Sequence, residues 1–279
     1  MTDATAQPGS PFPTETITGY PFSTATLAET IALLTSWLRP LSSGRPSPRP
    51  ARYFVCANPH SLEVARQDTL LHDAIMAADL VTPDGAGIVL ASRLLEARIP
   101  ERVCGPDLFP GFCAHLNAAR PGTRMFFLGS TEENLSALEQ RFRVDYPALD
   151  FCGSLSPPFR AEFSAAEDAA LIDRVNASNA EILWLGLGAP KQEKWAYRHR
   201  DRLQVDLIGP IGGAFDWYTG RIALPPLWMQ RAGLQWLHRL AQEPRRLWRR
   251  NLDSPIFLAR VLAQRLGSSR RRGDRPAAT

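Results

Sequence analysis

The chain has 279 residues, 44% of them hydrophobic and 22% charged, with a formal net charge of +4. That is enough chain for one large domain or two small ones with a sizeable core, and the balance excludes collagen-like, coiled-coil and wholly disordered classes. No apolar stretch approaches the roughly 18 residues of a membrane span, and Met1–Pro13 lacks the basic start and apolar core of a signal peptide, so a cytoplasmic protein is expected.

Residues 1–15 are rich in Pro, Thr and Ser and read as disordered. Thr26-Leu27-Ala28-Glu29 fits a capping box and opens a short helix to Leu38. Residues 40–50 hold four prolines and read as a linker or exposed loop. Strands and helices then alternate. Tyr53–Cys56 is a strand ended by Asn58-Pro59, and Ser61–Ala78 is helical. Leu80-Val81 is a very short strand cut by Thr82-Pro83-Asp84-Gly85, with a helix over Ala86–Ala97. Met125–Leu128 is a strand, and Gly129-Ser130-Thr131 opens another helix. Glu181–Leu187 is a buried-type strand, followed by a turn and a helix through Trp195. Val205–Ile208 is the last strand and leads to Gly212-Gly213. This alternation predicts a Rossmann-like α/β fold, mostly parallel, with helices on both faces of the sheet. From Pro226 onward only helical patterns remain. The expected division is an N-terminal arm and linker over 1–50, an α/β body over 51–220, and a basic amphipathic helical appendage over 221–279.

The charge is unevenly placed. Residues 221–279 carry 13 arginines against three acids, a net +10, whereas residues 1–220 carry 19 basic and 25 acidic residues, a net −6. A basic tail on an acidic body points to an anionic partner. Trp228, Trp236 and Trp248 interleave with those arginines, as in helices that lie at a membrane surface. The four cysteines form no CxxC pair and the five histidines show no ligand spacing, so no metal site and no disulfide framework are expected.

Four turns carry candidate chemistry. Thr82-Pro83-Asp84-Gly85 places a carboxylate on a rigid turn at a strand's carboxyl end, where open α/β folds bind ligands. Asp84 is either a general base or the cap of the helix that follows. Gly129-Ser130-Thr131 is either an anion-binding turn or a plain helix cap. Gly186-Leu187-Gly188-Ala189-Pro190-Lys191-Gln192-Glu193 resembles a dinucleotide fingerprint without its third glycine. Gly212-Gly213, with Asp216, Trp217 and Tyr218, again lets backbone meet ligand.

Together these stretches resemble the bacterial TagA/WecG/CpsF glycosyltransferases, also called glycosyltransferase family 26. The resemblance is carried by ADLVTPDGAGIVLASRLL (78–95), PERVCGPDLF (100–109), FFLGSTEE (126–133), GLGAPKQEKW (186–195) and GGAFDWYTG through LPPLWMQRAGLQWLHRLAQEPRR (212–246). It implies an inverting transfer from a UDP-sugar to a polyprenyl-diphosphate-linked sugar, at the inner face of the cytoplasmic membrane, in cell-surface polysaccharide synthesis. The donor sugar would be a hexose, N-acetylmannosamine or its uronic acid. Asp84 takes the role of base. Asn58, Thr82, Gly85, Arg102, Asp107, Gly129, Ser130, Gly188, Gln192, Glu193, Gly212, Gly213 and Asp216 are implied substrate contacts. Arg231, Arg239, Arg245 and Arg246 would hold the lipid diphosphate. The implied partners are the donor, the lipid-linked acceptor and an anionic membrane surface, with no nucleic acid and no cofactor. Cys56 stands where many members of the family carry a threonine. No DxD motif is present, so backbone amides and arginines are expected to replace a metal at the UDP diphosphate. The alternatives are a nucleotide-cofactor oxidoreductase on a Rossmann-like sheet and a non-enzymatic adaptor for acidic lipid. The first requires GxGxxG after the opening strand, where Asn58-Pro59-His60 stands instead.

Overall fold

A computed structural model describes residues 12–40, 49–223, 225, 226, 228, 229, 235–242 and 244–273, apart from the side chains of 235, 236, 239, 245–252 and 267–273. Its centre is a six-stranded, all-parallel sheet. In chain order the strands are β3 (Arg52–Ala57), β4 (Leu80–Pro83), β5 (Arg124–Gly129), β6 (Asp150–Leu155), β7 (Ile182–Gly186) and β8 (Leu207–Pro210), preceded by a hairpin of β1 (Thr14–Ile17) and β2 (Tyr20–Ser23). The spatial order is β4-β3-β8-β7-β5-β6, so the chain leaves β4, crosses to the far half, and returns through β7 to set β8 beside β3. The junction of β3 and β8 is a switch point, and the crevice above its carboxyl ends is where such sheets take ligands.

Successive side chains along each strand go to opposite faces. Tyr53, Val55, Leu183 and Leu185 enter one core; Phe54, Ile182 and Trp184 enter the other. The first core is covered by the hairpin, α2 (Pro59–Ala65), α3 (Thr69–Met76), α4 (Ala86–Leu94), α7 (Ala165–Ala177) and α8 (Lys191–His199). The second is covered by α1 (Leu27–Trp37), α5 (Gly105–Ala119), α6 (Glu132–Asp145) and α9 (Ala214–Tyr218). The expected parallel α/β sheet with helices on both faces is the architecture found.

The C-terminal segment forms α10 (Gln235–Gln242) and α11 (Pro244–Gly273). Phe257 and Val261 of α11 are fully buried in the first core, beside the helices that flank β3 and β4. Gln264 on the same helix reaches the hairpin, accepting from Thr18 N at 2.9 Å and donating to Thr16 O at 3.4 Å.

Several local expectations differ. The Thr26 capping box is present and α1 runs as read, but a hairpin begins at Thr14, where disorder was expected. Its turn, Thr18-Gly19, has positive φ at both residues, as tight hairpin turns require. The helix expected over 61–78 is two helices, because the Asp68 side chain accepts from Leu71 N and starts α3 afresh. β8 begins two residues later than read. Residues 1–11 and 41–48 lie outside the described residues.

Candidate active site

The loops singled out by sequence leave the carboxyl ends of neighbouring strands β4, β3, β8, β7 and β5. The fold therefore brings them along one edge. Neighbouring strands lie ~4.8 Å apart, so four spacings put about 19 Å between the β4 and β5 ends.

At the β4 end, Asp84 N donates to Ala57 O at 2.9 Å, tying the turn to β3. The helix after this turn is capped by Gly85, at φ +90°, and no side chain caps it. Asp84 is thus not spent on a helix end. Its Oδ2 accepts from Asn58 Nδ2 at 3.0 Å. Asn58 is the N-cap of α2, with Oδ1 accepting from Ser61 N at 3.0 Å and Ser61 Oγ accepting from Asn58 N at 2.8 Å. That reciprocal cap fixes which end of the amide faces helix and which faces carboxylate. Thr82 is fully buried and lies under the site rather than at its surface. It pairs in register with Cys56, whose thiol is pushed up by burial and further by the Asp84 charge.

Arg102 supplies a cation within electrostatic reach of Asp84. Its Nη2 donates to Asp107 Oδ2 at 2.6 Å, and Cys104 Sγ lies 3.1 Å from the same oxygen. Burial works against the guanidinium charge, but Cys104, Asp107 and Asp84 outweigh it and hold its pKa above the usual arginine value. Val103 N donates to Pro83 O at 2.9 Å and fastens this segment to the end of β4.

Between these strands and β7 sits the turn before α8. Gly188 has φ +80°, Ala189-Pro190 is a cis peptide, and Gln192 N donates to Gly188 O at 3.0 Å. Gln192 and Glu193 are both 4% exposed, and Gln192 Nε2 donates to Glu193 Oε1 at 2.9 Å. Gly212, at φ +54°, covers that amide: a Cβ there would come within 3.3 Å of both Gln192 Nε2 and Oε1. Gln192 Oε1 has no hydrogen bond among the described residues. Gly213 follows as the first residue before α9.

At the β5 end, Gly129 packs on the backbone of Gly186, which leaves no room for a Cβ and none for a ligand at that atom. Ser130 holds a left-handed conformation, φ +68°, and donates its N–H to Gly186 O at 3.1 Å. Asn134 is the hub here, 3% exposed and without a sequence signal of its own. Its Nδ2 donates to Ser130 Oγ at 2.8 Å and to Asp216 Oδ1 at 3.1 Å, and its Oδ1 accepts from Thr219 Oγ1 at 2.7 Å.

Two groups result. Asp84, Asn58, Arg102 and Asp107 cluster at the β4–β3 end, with the Gln192–Glu193 pair and Gly212 next to them; Ser130 and Asp216 meet at the β5 end. Arg231 lies outside the described residues, as do the side chains of Arg239, Arg245 and Arg246. Among the described residues no three His, Cys, Asp or Glu side chains group as metal ligands, and no helix is long and apolar enough to cross a membrane.

Comparison with known proteins gives a match to the glycosyl transferase WecG/TagA/CpsF family over residues 15–271. Relatives of similar sequence include a protein of Bacillus spizizenii, 27% identical over 237 residues that make up 85% of this chain and 89% of the relative. One from Bacillus subtilis is 27% identical over 208 residues, 74% of this chain and 77% of its own. One from Staphylococcus aureus is 24% identical over 211 residues, 75% and 79% respectively. All three are named N-acetylglucosaminyldiphosphoundecaprenol N-acetyl-beta-D-mannosaminyltransferase.

Proposed function

The chain belongs to the WecG/TagA/CpsF family of glycosyl transferases, and from that premise we propose that it moves a sugar of the N-acetylmannosamine type from UDP to a sugar carried on a polyprenyl diphosphate, with inversion at the anomeric carbon. The observation that carries this reading is the Asn58–Asp84 contact at adjacent strand ends.

An inverting transfer needs one base on the acceptor hydroxyl. Asp84 fits that role. Asn58 holds one carboxylate oxygen, and the other takes the proton as the acceptor oxygen attacks from the side opposite UDP. The new C–O bond forms while the bond to the UDP oxygen breaks, and the departing diphosphate carries the negative charge. Arg102 meets part of that charge, and backbone N–H groups of the Gly188 and Gly212-Gly213 turns meet the rest. Ser130 and Asp216, toward β5, lie where the nucleoside end of an extended donor would reach. The basic segment 221–279 serves to hold the protein on the anionic inner face of the membrane, and Arg231, Arg239, Arg245 and Arg246 are the candidates to bind the lipid diphosphate.

The test incubates the full chain with UDP-N-acetylmannosamine and a short prenyl diphosphate bearing N-acetylglucosamine. Acceptor-dependent UDP release and a lipid product heavier by one sugar support the reading. Absence of both across a panel of UDP-sugars overturns it.

A further inference from the structure

Side chains of consecutive helical residues do not normally face each other. Gln192 and Glu193, in the first turn of α8, do meet: Gln192 Nε2 donates to Glu193 Oε1 at 2.9 Å, and both residues are 4% exposed. A carboxylate only accepts, so it takes the nitrogen end of the amide and turns the oxygen end away from itself. That oxygen, Gln192 Oε1, has no hydrogen bond among the described residues. A buried acceptor without a donor is costly, and its presence asks for a partner that the fold itself does not supply.

The amide lies at the carboxyl edge of the sheet, where the ligand crevice is. Gln192 N donates to Gly188 O at 3.0 Å, and a Cβ on Gly212 would crowd both amide atoms at 3.3 Å. Gln192 thus touches both glycine turns assigned above to the donor diphosphate. The charges of Glu193 and Asp84 both reach the Cys56 thiol, so the pair stands near the proposed base as well. Asn58 shows the opposite use of the same chemistry. There too a carboxylate takes the amide nitrogen, at 3.0 Å, but the amide oxygen is spent on capping α2. In Gln192 the oxygen is left over.

An ionised diphosphate offers only acceptors, so a carbonyl oxygen cannot serve it. It can serve an O–H or N–H. Past the diphosphate, on the side away from the nucleoside, the first such groups belong to the transferred sugar. We propose that Glu193 is a positioning residue that holds Gln192 Oε1 toward the donor sugar, where the oxygen accepts from a ring hydroxyl or from the N–H of an acetamido group. The inference rests on the UDP-sugar reading and adds which part of the donor this pair recognises.

The test measures binding of UDP and of UDP-N-acetylmannosamine to the full chain by calorimetry, without acceptor, for wild type, Glu193→Gln, Gln192→Met and the double variant. A glutamine at 193 can donate as well as accept, so it no longer dictates which end of the Gln192 amide faces the ligand. Gln192→Met keeps the volume and removes the acceptor. Each single variant should weaken the UDP-sugar roughly tenfold, the scale of one buried hydrogen bond, and leave UDP unchanged. The double variant should bind no more weakly than Gln192→Met alone, because Glu193 acts through that amide. Glu193→Asp keeps a carboxylate and should recover part of the loss. UDP-mannose, with a hydroxyl where the acetamido group stands, tells the two partners apart: an equal loss assigns the contact to a hydroxyl, and no loss assigns it to the acetamido N–H. Equal weakening of UDP and UDP-sugar would put the amide at the nucleotide, and additive losses in the double variant would make Glu193 independent of Gln192; either overturns the proposal. So does a lower Tm with unchanged binding, which marks the pair as purely structural. A wild-type chain that binds neither ligand instead fails the UDP-sugar reading, and the inference with it.

Discussion

The side-chain amide of Asn58 is engaged at both ends, its oxygen by the first turn of α2 and its nitrogen by Asp84 Oδ2 at 3.0 Å. One residue thus both starts a helix and orients a carboxylate. Asp84→Asn should retain the fold and UDP binding and lose turnover by roughly 100-fold or more, the usual scale for a general base. Near-normal turnover in the folded variant would falsify the assignment.

Asn58→Asp separates the two duties. An aspartate still caps the helix, so the melting temperature should stay close to wild type. It also replaces a donor with a second negative charge against Asp84. Turnover should fall by roughly tenfold at neutral pH and recover partly in Asn58→Ser, which caps without adding charge. A wild-type rate for Asn58→Asp would show that the amide has no part in holding the base.

Asn134 serves three partners from one buried amide. Asn134→Ala leaves Ser130, Asp216 and Thr219 short of a hydrogen bond and should cost about 1–3 kcal/mol of stability. Chemical denaturation measures this. The donor KM should rise more than kcat falls, because Asp216 lies far from Asp84. An unchanged donor KM would remove the β5 end from the donor site.

The C-terminal helix shares the main core through Phe257 and Val261. Phe257→Ala should cost about 3–5 kcal/mol. A chain ending at Gly220 should expose apolar surface on α2 and α4, bind a hydrophobic dye and lose transfer altogether. A chain ending at Ser268 keeps both core residues and should lose only salt-sensitive attraction to anionic liposomes. If the protein ending at Gly220 transfers sugar at full rate, α11 contributes nothing to the site.

Chelation provides a further check. If Arg102 and the N–H groups of the glycine turns neutralise the diphosphate as proposed, transfer should persist in EDTA. Loss of activity restored by Mg²⁺ or Mn²⁺ would show that the diphosphate is neutralised by an ion instead.

The turns at the strand ends were legible because their signals are local: a Pro-Asp-Gly, a Gly-Ser, a Gly-Gly, each after a short apolar run. β6 was missed because DFCGSL is an edge strand with a single buried residue, which leaves no apolar run to find. The hairpin could have been found from Thr18-Gly19 between two alternating stretches, and Pro- and Thr-rich flanks obscured it. Asn134 could not be found, because its importance comes from Asp216 and Thr219, 82 and 85 positions along the chain.

Gln264 bonding to Thr16 and Thr18 joins the two ends of the sequence across 246 to 248 residues. While the chain is still on the ribosome, the hairpin segment is made long before the helix that covers it. Closure of that face must wait until the segment around Phe257 has left the exit tunnel, and contacts of such separation are slow to form. Chains that stop before Phe257 should remain open to protease at α2 and at the hairpin, and resistance should appear only once the segment through Val261 is included and free to fold.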